Sequence, residues 1–270
     1  MKIAMIGGLV PRLLARLGRM AFKAVREMGR LFLFLLLGLY HIVTPPLQLT
    51  KIVDQVYFIG ARSVLVIVLT SAFTGMVLGL QGYHALVVVG AEGLLGGTVA
   101  MSLIREMGPV LTAVMITARA GSAIAAEIGV MRISEEIDAL QTMDVDPVRY
   151  LVAPRLAAAV ISFPLLTAVF DVVGIVGGWF SASVLVGISS GIYFSRVNYT
   201  VQMADVRGGF VKAFVFAILV AGVCCYQGFY THLRPDGHGA RGVGLSTTRA
   251  VVTSCVLILV ADYVVTSFLL

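Results

Sequence analysis

Residues 156–187 read "LAAAVISFPLLTAVFDVVGIVGGWFSASVLVG", a run of 32 residues with a single charged side chain, Asp171. An α-helix needs about 20 predominantly apolar residues to cross the hydrocarbon core of a bilayer, so this run is long enough to span it. A lone segment in that core must satisfy its own backbone hydrogen bonds, and only a helix does so. The stretch therefore predicts a transmembrane helix.

The rest of the chain is also strongly apolar. Of its 270 residues, 59% are hydrophobic and 13% are charged, whereas a soluble domain has roughly a quarter charged residues. The predicted spans cover about residues 60–82, 101–126, 156–187, 209–230 and 249–270. The sequence therefore predicts an all-α integral membrane protein, with five transmembrane helices in a domain over residues 51–270.

Residues 1–50 precede this domain and predict a basic amphipathic segment. Over residues 9–30, Lys and Arg recur at steps of three or four, and apolar side chains occupy the other faces. Such a helix lies on an anionic membrane surface. The apolar run 31–43 has 13 residues. It is too short to span, so we expect an interfacial or re-entrant segment before Pro45 and Pro46 interrupt the chain.

Basic residues are distributed unevenly between the two sides of the predicted spans. The N-terminal segment and the two loops on its side hold 14 Lys and Arg, and the loops on the other side hold two, Arg196 and Arg207. The positive-inside rule then places the N-terminus in the cytoplasm and the C-terminus outside. The net charge of +6 follows this placement, so it does not indicate nucleic-acid binding.

Charged residues inside predicted spans are costly and usually face a cavity or a partner. Arg105 and Glu106 are expected near the outer mouth of span two, and Lys212 at a similar level in span four. Together they predict either a polar rim above an apolar chamber, suited to a zwitterionic or anionic amphiphile, or a structural ion pair. Further candidates for charge partners are Arg119, Glu127, Asp171 and Asp262.

Residues 133–145 predict a short cytoplasmic helix between spans two and three. Ser134 is its predicted N-cap, with the helix running from Glu135, and Asp146 with Pro147 is predicted to begin the next helix. The acids of the segment are Glu135, Glu136, Asp138 and Asp144, and its apolar stripe consists of Ile133, Ile137, Leu140 and Met143. The pattern predicts either a helix that exposes its acids and its stripe to a cytoplasmic partner, or an ordinary polar connector.

Motifs for several kinds of chemistry are missing from the sequence. There is no G-x-x-x-x-G-K-[ST] phosphate loop, so the chain is not itself a P-loop ATPase. There is no H-E-x-x-H, and the four histidines share no ligand spacing, so we expect no metal site. The sequence "GISSG" at 187–191 matches G-x-S-x-G but lies in a predicted outer loop, without the strand-turn-helix setting of a hydrolase nucleophile.

Three stretches resemble one family closely: "LTSAFTGMVLGLQGY" (69–83), "SLIREMGPVLTAVMITARAGSAIAAEIGVMRISEEIDALQTMDVDPVRYLVAPR" (102–155) and "GLSTTRAVV" (244–252). They are similar to the MlaE/YrbE family, the permease subunits of MCE-type ABC phospholipid transporters. The resemblance runs from about residue 50 to the end of the chain.

The resemblance implies a homodimeric permease in the bacterial inner membrane, with a periplasmic C-terminus. Its partners would be a cytoplasmic ABC ATPase dimer, which binds ATP and Mg²⁺ and engages residues 133–145, a periplasmic MCE-domain hexamer and, in many systems, a STAS-domain subunit. Glycerophospholipid would move between inner and outer membranes, which maintains outer-membrane lipid asymmetry. The residues that match the family's lipid pocket are Leu78, Leu86, Val89, Arg105, Glu106, Met107 and Lys212.

Three other functions stay open at this point. A permease of this kind could carry another hydrophobic molecule, such as a sterol. A proton-coupled carrier would use Asp171 and Asp262. An intramembrane enzyme acting on lipids would need a nucleophile and a base, and no such pair is visible in the sequence.

Overall fold

The computed structural model describes residues 18, 22, 25–42, 44, 48–233 and 239–269. Within that part, five apolar helices are long enough to cross a membrane, and a further helix over residues 25–42 precedes them. The predicted fold class, five long apolar helices after an N-terminal helix, is therefore confirmed.

The elements follow one another along the chain as a series of helices. We number them α1 (25–42), α2 (Leu49–Ile59), α3 (Val64–Val87), α4 (Leu95–Ser102), α5 (Gly108–Ile116), α6 (Ser122–Ile133), α7 (Glu136–Thr142), α8 (Ala153–Phe180), α9 (Ser190–Thr200), α10 (Met203–Phe229) and α11 (Gly239–Leu269). π-helical turns lie at Leu103–Met107, Thr117–Gly121, Val148–Val152 and Ser181–Leu185. The turns join α4, α5 and α6 into one long helix and extend α8 at both ends.

All five long helices begin before the predicted apolar runs, and the first two also end after them. The first begins at Leu49, because polar residues such as Lys51, Asp54 and Gln55 sit in α2 and lower its average apolarity. Loops meet at two ends of the bundle. We call the end with residues 134–147 the acidic end and the end with residues 186–202 the hairpin end.

Helix α1 packs against the acidic end of α10 through Phe34, which is 2% exposed. The Phe34 ring contacts the rings of Tyr226, Phe229 and Tyr230. Residues 25–30 of the predicted basic helix are helical and exposed. Most of the predicted segment over 9–24, together with Pro45 and Pro46, lies outside the described residues.

A seam of small residues joins α3 to α8. The two helices come closest at Gly75, where an added Cβ would overlap the Gly174 carbonyl oxygen. Gly79 lies against Gly178 in the same way. Small residues let helix backbones come this close, and dispersion contacts then replace the hydrophobic force that lipid does not supply. The two G-x-x-x-G pairs of the sequence therefore pack against each other within one chain.

We expect Gly75→Ala to destabilise the protein. The new methyl group overlaps the Gly174 carbonyl, and overpacking costs about 1–3 kcal/mol, more than the helix propensity gained, about 0.5–1 kcal/mol. Gly244→Ala is the matched control, because an added Cβ there meets no atom within 4 Å. Thermal unfolding in detergent measures both variants. Equal midpoints for the two would contradict close packing of this seam.

Candidate functional site

The ammonium of Lys212, on α10, lies at the centre of a charged cluster at the hairpin half of the bundle. Its Nζ donates hydrogen bonds to Glu106 Oε2 at 2.6 Å and to the Arg105 carbonyl oxygen at 2.8 Å, and forms an ion pair with Asp262 Oδ1 at 2.9 Å. The Lys212 side chain is 3% exposed. A buried ammonium needs such partners, because desolvation would otherwise cost several kcal/mol. Lys212 therefore ties α10 to the second and fifth long helices.

The Arg105 carbonyl is free to accept this hydrogen bond because of Pro109, four residues later. Proline has no N–H, and its ring crowds the carbonyl four residues before it. The π-helical turn at Leu103–Met107 ends two residues before Pro109, and local π-helical adjustments of this kind help a transmembrane helix to accommodate proline. The sequence "REMGP" thus deprives the Arg105 carbonyl of the usual N–H donor four residues later, and the Lys212 ammonium donates to this carbonyl.

Arg105 forms the second ion pair of the cluster with Asp205, near the start of α10. Its Nε donates to Asp205 Oδ1 at 2.8 Å, and its terminal nitrogen lies 2.6 Å from the same oxygen. Asp205 Oδ2 accepts from the backbone N–H of Gln202 at 2.9 Å, which completes a capping box at this helix start. The Asp205 side chain is buried, while that of Arg105 is 48% exposed. Arg105 is therefore held in place yet keeps part of its guanidinium open.

These side chains border a recess of about 240 Å³, which we call the Lys212 recess. Its lining consists of Arg105, Glu106, Gln202, Ala204, Asp205, Gly208, Gly209, Lys212, Thr266 and Leu269. Gly209 lets α10 approach the π-helical turn, since an added Cβ would lie 2.6 Å from the Ile104 carbonyl oxygen. The recess presents cationic and anionic groups together, so it suits a headgroup that carries charge.

The structure brings together three of the seven predicted pocket residues, Arg105, Glu106 and Lys212. The other four do not line the recess. Leu78, Leu86 and Met107 are partly buried against the apolar core, and Val89 is 71% exposed beyond α3. The predicted chamber lies between two subunits, which a single chain does not test, so these four positions stay predictions.

Sequence reasoning missed the other seven residues that line the recess, and two of these, Asp205 and Thr266, bond to its charged side chains. Thr266 donates to Glu106 Oε1 at 3.4 Å. Asp205 had a recognisable signal, because Gln202 followed three residues later by Asp205 fits a capping pair at a helix start. Thr266 lies on the last turns of α11 and had none.

The remaining charged candidates Arg119, Glu127 and Asp171 lie outside the recess. Arg119 donates to the Phe58 carbonyl oxygen and to Ser63 Oγ. Arg155 pairs with Glu127 at 3.0 Å near the acidic end. Asp171 lies on α8 against Gly108, the residue that follows the π-helical turn.

The acidic segment, residues 133–145, contains the predicted short helix as α7. Ser134 does not cap it: its Oγ donates to the Val130 carbonyl oxygen and to Glu136 Oε1. Glu135 precedes α7 instead, with φ 61° in the left-handed region, so the predicted cap was wrong because α6 continues to Ile133. The predicted cap at Asp146 is correct, since its Oδ1 accepts from the Val148 N–H at 2.9 Å.

The apolar stripe of this segment faces the protein more than solvent, which corrects the prediction of an exposed stripe. Ile137 is fully buried, and Leu140 packs against the core. Met143 is 72% exposed, and the four acids Glu135, Glu136, Asp138 and Asp144 are exposed. A short helix between two spans buries its stripe on the nearest apolar surface, which is the end of the bundle. The exposed surface of the segment is therefore acidic, with Met143 as its one large apolar side chain.

Arg132 connects the acidic segment to the end of α10. Its terminal nitrogen donates to Asp138 Oδ1 at 2.7 Å, and its Nε donates to His232 Nδ1 at 2.7 Å. Burial and then the charge of Arg132 lower the pKa of His232, so its ring is neutral at pH 7 and accepts this hydrogen bond. Movement of the acidic segment is thus linked to two long helices.

Comparison with known proteins identifies relatives along almost the whole chain. The family model described as Permease MlaE matches residues 52–268. A probable ABC transporter permease of Rickettsia typhi is 39% identical over 93% of this chain and 95% of its own length. The intermembrane phospholipid transport system permease MlaE of Haemophilus influenzae is 37% identical over 97% and 98% of the two chains. A probable ABC transporter permease of Synechocystis is 38% identical over 83% of each chain.

We expect Lys212→Met to lower the free energy of unfolding by about 2 kcal/mol. The variant leaves Glu106, Asp262 and the Arg105 carbonyl without their cation, although Glu106 keeps some solvent contact. The triple variant Lys212→Met, Glu106→Gln, Asp262→Asn should recover part of the loss, because it removes the unpaired carboxylates. Thermal unfolding in detergent measures both. A single variant as stable as the native protein would show that the cluster does not hold the helices together.

Proposed function

The chain belongs to the MlaE permease family, whose members are the membrane-spanning subunits of ABC transporters, and we propose that its substrate is a glycerophospholipid moved between inner and outer membranes. In this role it maintains the lipid asymmetry of the outer membrane. The name of the Haemophilus relative, an intermembrane phospholipid transport permease, supports the substrate class. ATP hydrolysis takes place in a separate ATPase subunit.

The observation that carries the proposal is the Lys212 recess. Its open cation, Arg105, and its carboxylates lie beside apolar helices at one end of the bundle. A phospholipid headgroup is a charged phosphate on an apolar tail, and Arg binds phosphate oxygens well. A sterol offers a single hydroxyl to this cluster, so the charges favour a phospholipid over a sterol.

The cluster also weighs against a proton-coupled carrier. Such a carrier would need Asp171 and Asp262 as exchangeable proton sites. Asp262 lies 2.9 Å from the Lys212 ammonium, so protonation of this carboxylate would break an ion pair that joins α10 to α11. Asp171 alone does not provide a path for protons between the two ends of the bundle.

The acidic segment is the proposed contact for the ATPase. Its four acids point outward, and its buried Ile137 and the Arg132–Asp138 ion pair fix it to the bundle. ATP-driven closure of an ATPase dimer against this segment would move α6 and α8, the two helices that flank it. Coupling of this kind needs two states of the bundle that nucleotide biases differently.

We place this permease in the bacterial inner membrane as a homodimer, with the acidic end in the cytoplasm and the hairpin end in the periplasm. The exposed apolar side chains along α11, Val252, Val256, Leu259 and Tyr263, offer a surface for a second copy. A periplasmic MCE-domain hexamer would cover the hairpin end, and a STAS-domain subunit would bind on the cytoplasmic side. The lipid chamber, with Leu78, Leu86, Val89 and Met107 in its walls, would then lie between the two copies.

Reversing the charge of Arg105 or Glu106 should reduce lipid transport by at least about tenfold while the complex still assembles. Arg105→Glu would repel a phosphate and Asp205, and Glu106→Lys would repel Lys212. ATP-dependent transfer of a fluorescent phospholipid, measured with the assembled transporter in proteoliposomes, tests this. Arg196→Glu is the control, because it reverses an exposed cation on α9 outside the recess. Native transfer rates in both recess variants would exclude the recess as the headgroup site.

We expect Glu136→Lys and Met143→Asp each to abolish co-purification of the ATPase. Both side chains are exposed on the acidic segment, so the changes alter its surface and leave the buried Ile137 in place. Pull-down of the ATPase with tagged permease is the measurement. Glu92→Lys reverses an acid at the opposite end and should leave the yield unchanged. Full recovery of ATPase with both segment variants would place the contact elsewhere.

A further inference from the structure

A second polar recess, of about 220 Å³, lies at the acidic end, far along the helices from Lys212. We call it the Lys51 recess. Residues from three helical segments border it, among them Lys51, Asp54, Gln55, Glu127, Tyr150 and Arg155. Neither the predicted pocket nor the acidic segment uses these side chains.

Three buried polar atoms in this recess have no hydrogen-bond partner among the described residues: Lys51 Nζ, Gln55 Oε1 and Arg155 Nε. The Arg155 side chain is 6% exposed. Lys51 Nζ rests against the face of the Tyr150 ring, 2.8 Å from its centre. Burying a charged donor without an acceptor costs free energy. Two donors and one acceptor without partners, on side chains that line the same cavity, therefore indicate a polar occupant.

The charges around the recess are not all paired. Arg155 forms an ion pair with Glu127 at 3.0 Å. Within the described part of the chain, neither Lys51 nor Asp54 has an opposite charge within 4.0 Å. One free cation and one free carboxylate thus remain, three residues apart on α2. A ligand that satisfies both carries an anion and a cation and is neutral overall.

We propose that the Lys51 recess binds the zwitterionic headgroup of a membrane amphiphile, a phosphate joined to a primary amine. The phosphate oxygens accept from Lys51 Nζ and Arg155 Nε, and the ammonium donates to the Asp54 carboxylate and Gln55 Oε1. Charge-assisted hydrogen bonds of this kind are about twice as strong as neutral ones. The site is a second headgroup position, at the opposite membrane surface from the Lys212 recess.

The outer face of α2 favours a lipid over a soluble phosphate compound. Leu49, Val53 and Tyr57 recur at steps of four and are 65%, 66% and 60% exposed. This stripe runs along the same helix that supplies Lys51, Asp54 and Gln55 to the recess. Acyl chains can lie on the stripe while the headgroup occupies the recess. The inference requires a membrane-embedded chain and does not depend on lipid being transported.

Photo-cross-linking of the full chain in lipid nanodiscs tests the site. The probe is a phosphatidylethanolamine with a photoreactive group next to its glycerol, and labelled peptides are located by mass spectrometry. We expect labelling within residues 48–56 and 148–155. Lys51→Met should reduce that labelling at least about fivefold, whereas Arg62→Gln, which removes an exposed cation just beyond α2, should leave it unchanged.

Asp54→Asn provides a second variant, because Asp54 is exposed and its change is tolerated more easily than one at a buried residue. It should shift labelling towards phosphatidylglycerol, whose headgroup has no amine. Soluble phosphoethanolamine should not compete at millimolar concentration, and photoreactive diacylglycerol should not label the site.

Native labelling in both the Lys51→Met and Asp54→Asn variants would overturn the proposal, as would equal labelling by diacylglycerol. Competition by soluble phosphoethanolamine would overturn the assignment to a membrane lipid. Labelling of residues 203–212 reports on the Lys212 recess in the same experiment. If residues 203–212 are not labelled while residues 48–56 and 148–155 are, the result counts against the proposed function and not against lipid binding at the Lys51 recess.

Discussion

The ammonium of Lys212 is the interaction on which the arrangement of the hairpin half depends. It contacts a carboxylate and a backbone carbonyl on the second long helix and a carboxylate on the fifth. In the hydrocarbon core of a bilayer, no water is present to hydrogen-bond an unpaired carbonyl or an unpaired charge. Pro109 therefore sets the position of Lys212, and Lys212 sets the spacing of three helices. The same side chains therefore line the Lys212 recess and hold the helices together.

The seam between α3 and α8 is a different kind of contact, because it depends on the close packing of small residues and, within the described part of the chain, includes no ion pair. Glycines of α3 and α8 face each other so closely that a methyl group does not fit between Gly75 and Gly174. α3 and α8 thus form a tightly packed pair, whereas α10, α11 and the second long helix share the charged cluster. Binding of the proposed lipid at the Lys212 recess would act on the second group.

The sequence predicts the fold well because the bilayer imposes a simple rule on composition. Apolar runs such as 156–187 are readable one by one, and five helices with an N-terminal helix follow. Helix ends are less readable, since Lys51 and Asp54 make α2 look like a loop. Of the Lys212 recess, Arg105, Glu106 and Lys212 were predictable from their cost in a span. Thr266 was not, because its role depends on how α11 packs beside α10, which no local pattern specifies. For the same reason, the sequence did not show which way the apolar stripe of residues 133–145 faces. Ile137 is buried against the rest of this chain and is not exposed for a partner protein.

The backbone around α7 has a mechanical consequence. Glu135 and Asp144 bracket it with φ of 61° and 58°, conformations that cost a residue with a side chain on the order of 1 kcal/mol. Neither position uses glycine, so each bend holds strain that the surrounding contacts must maintain, above all the buried Ile137 and the Arg132–Asp138 ion pair. The connection between α6 and α8 is therefore rigid and of fixed length, unlike a flexible loop. A force on the outer surface of this connection is therefore transmitted to both long helices. Any movement must either displace the connection as a rigid unit or remove Ile137 from its buried position.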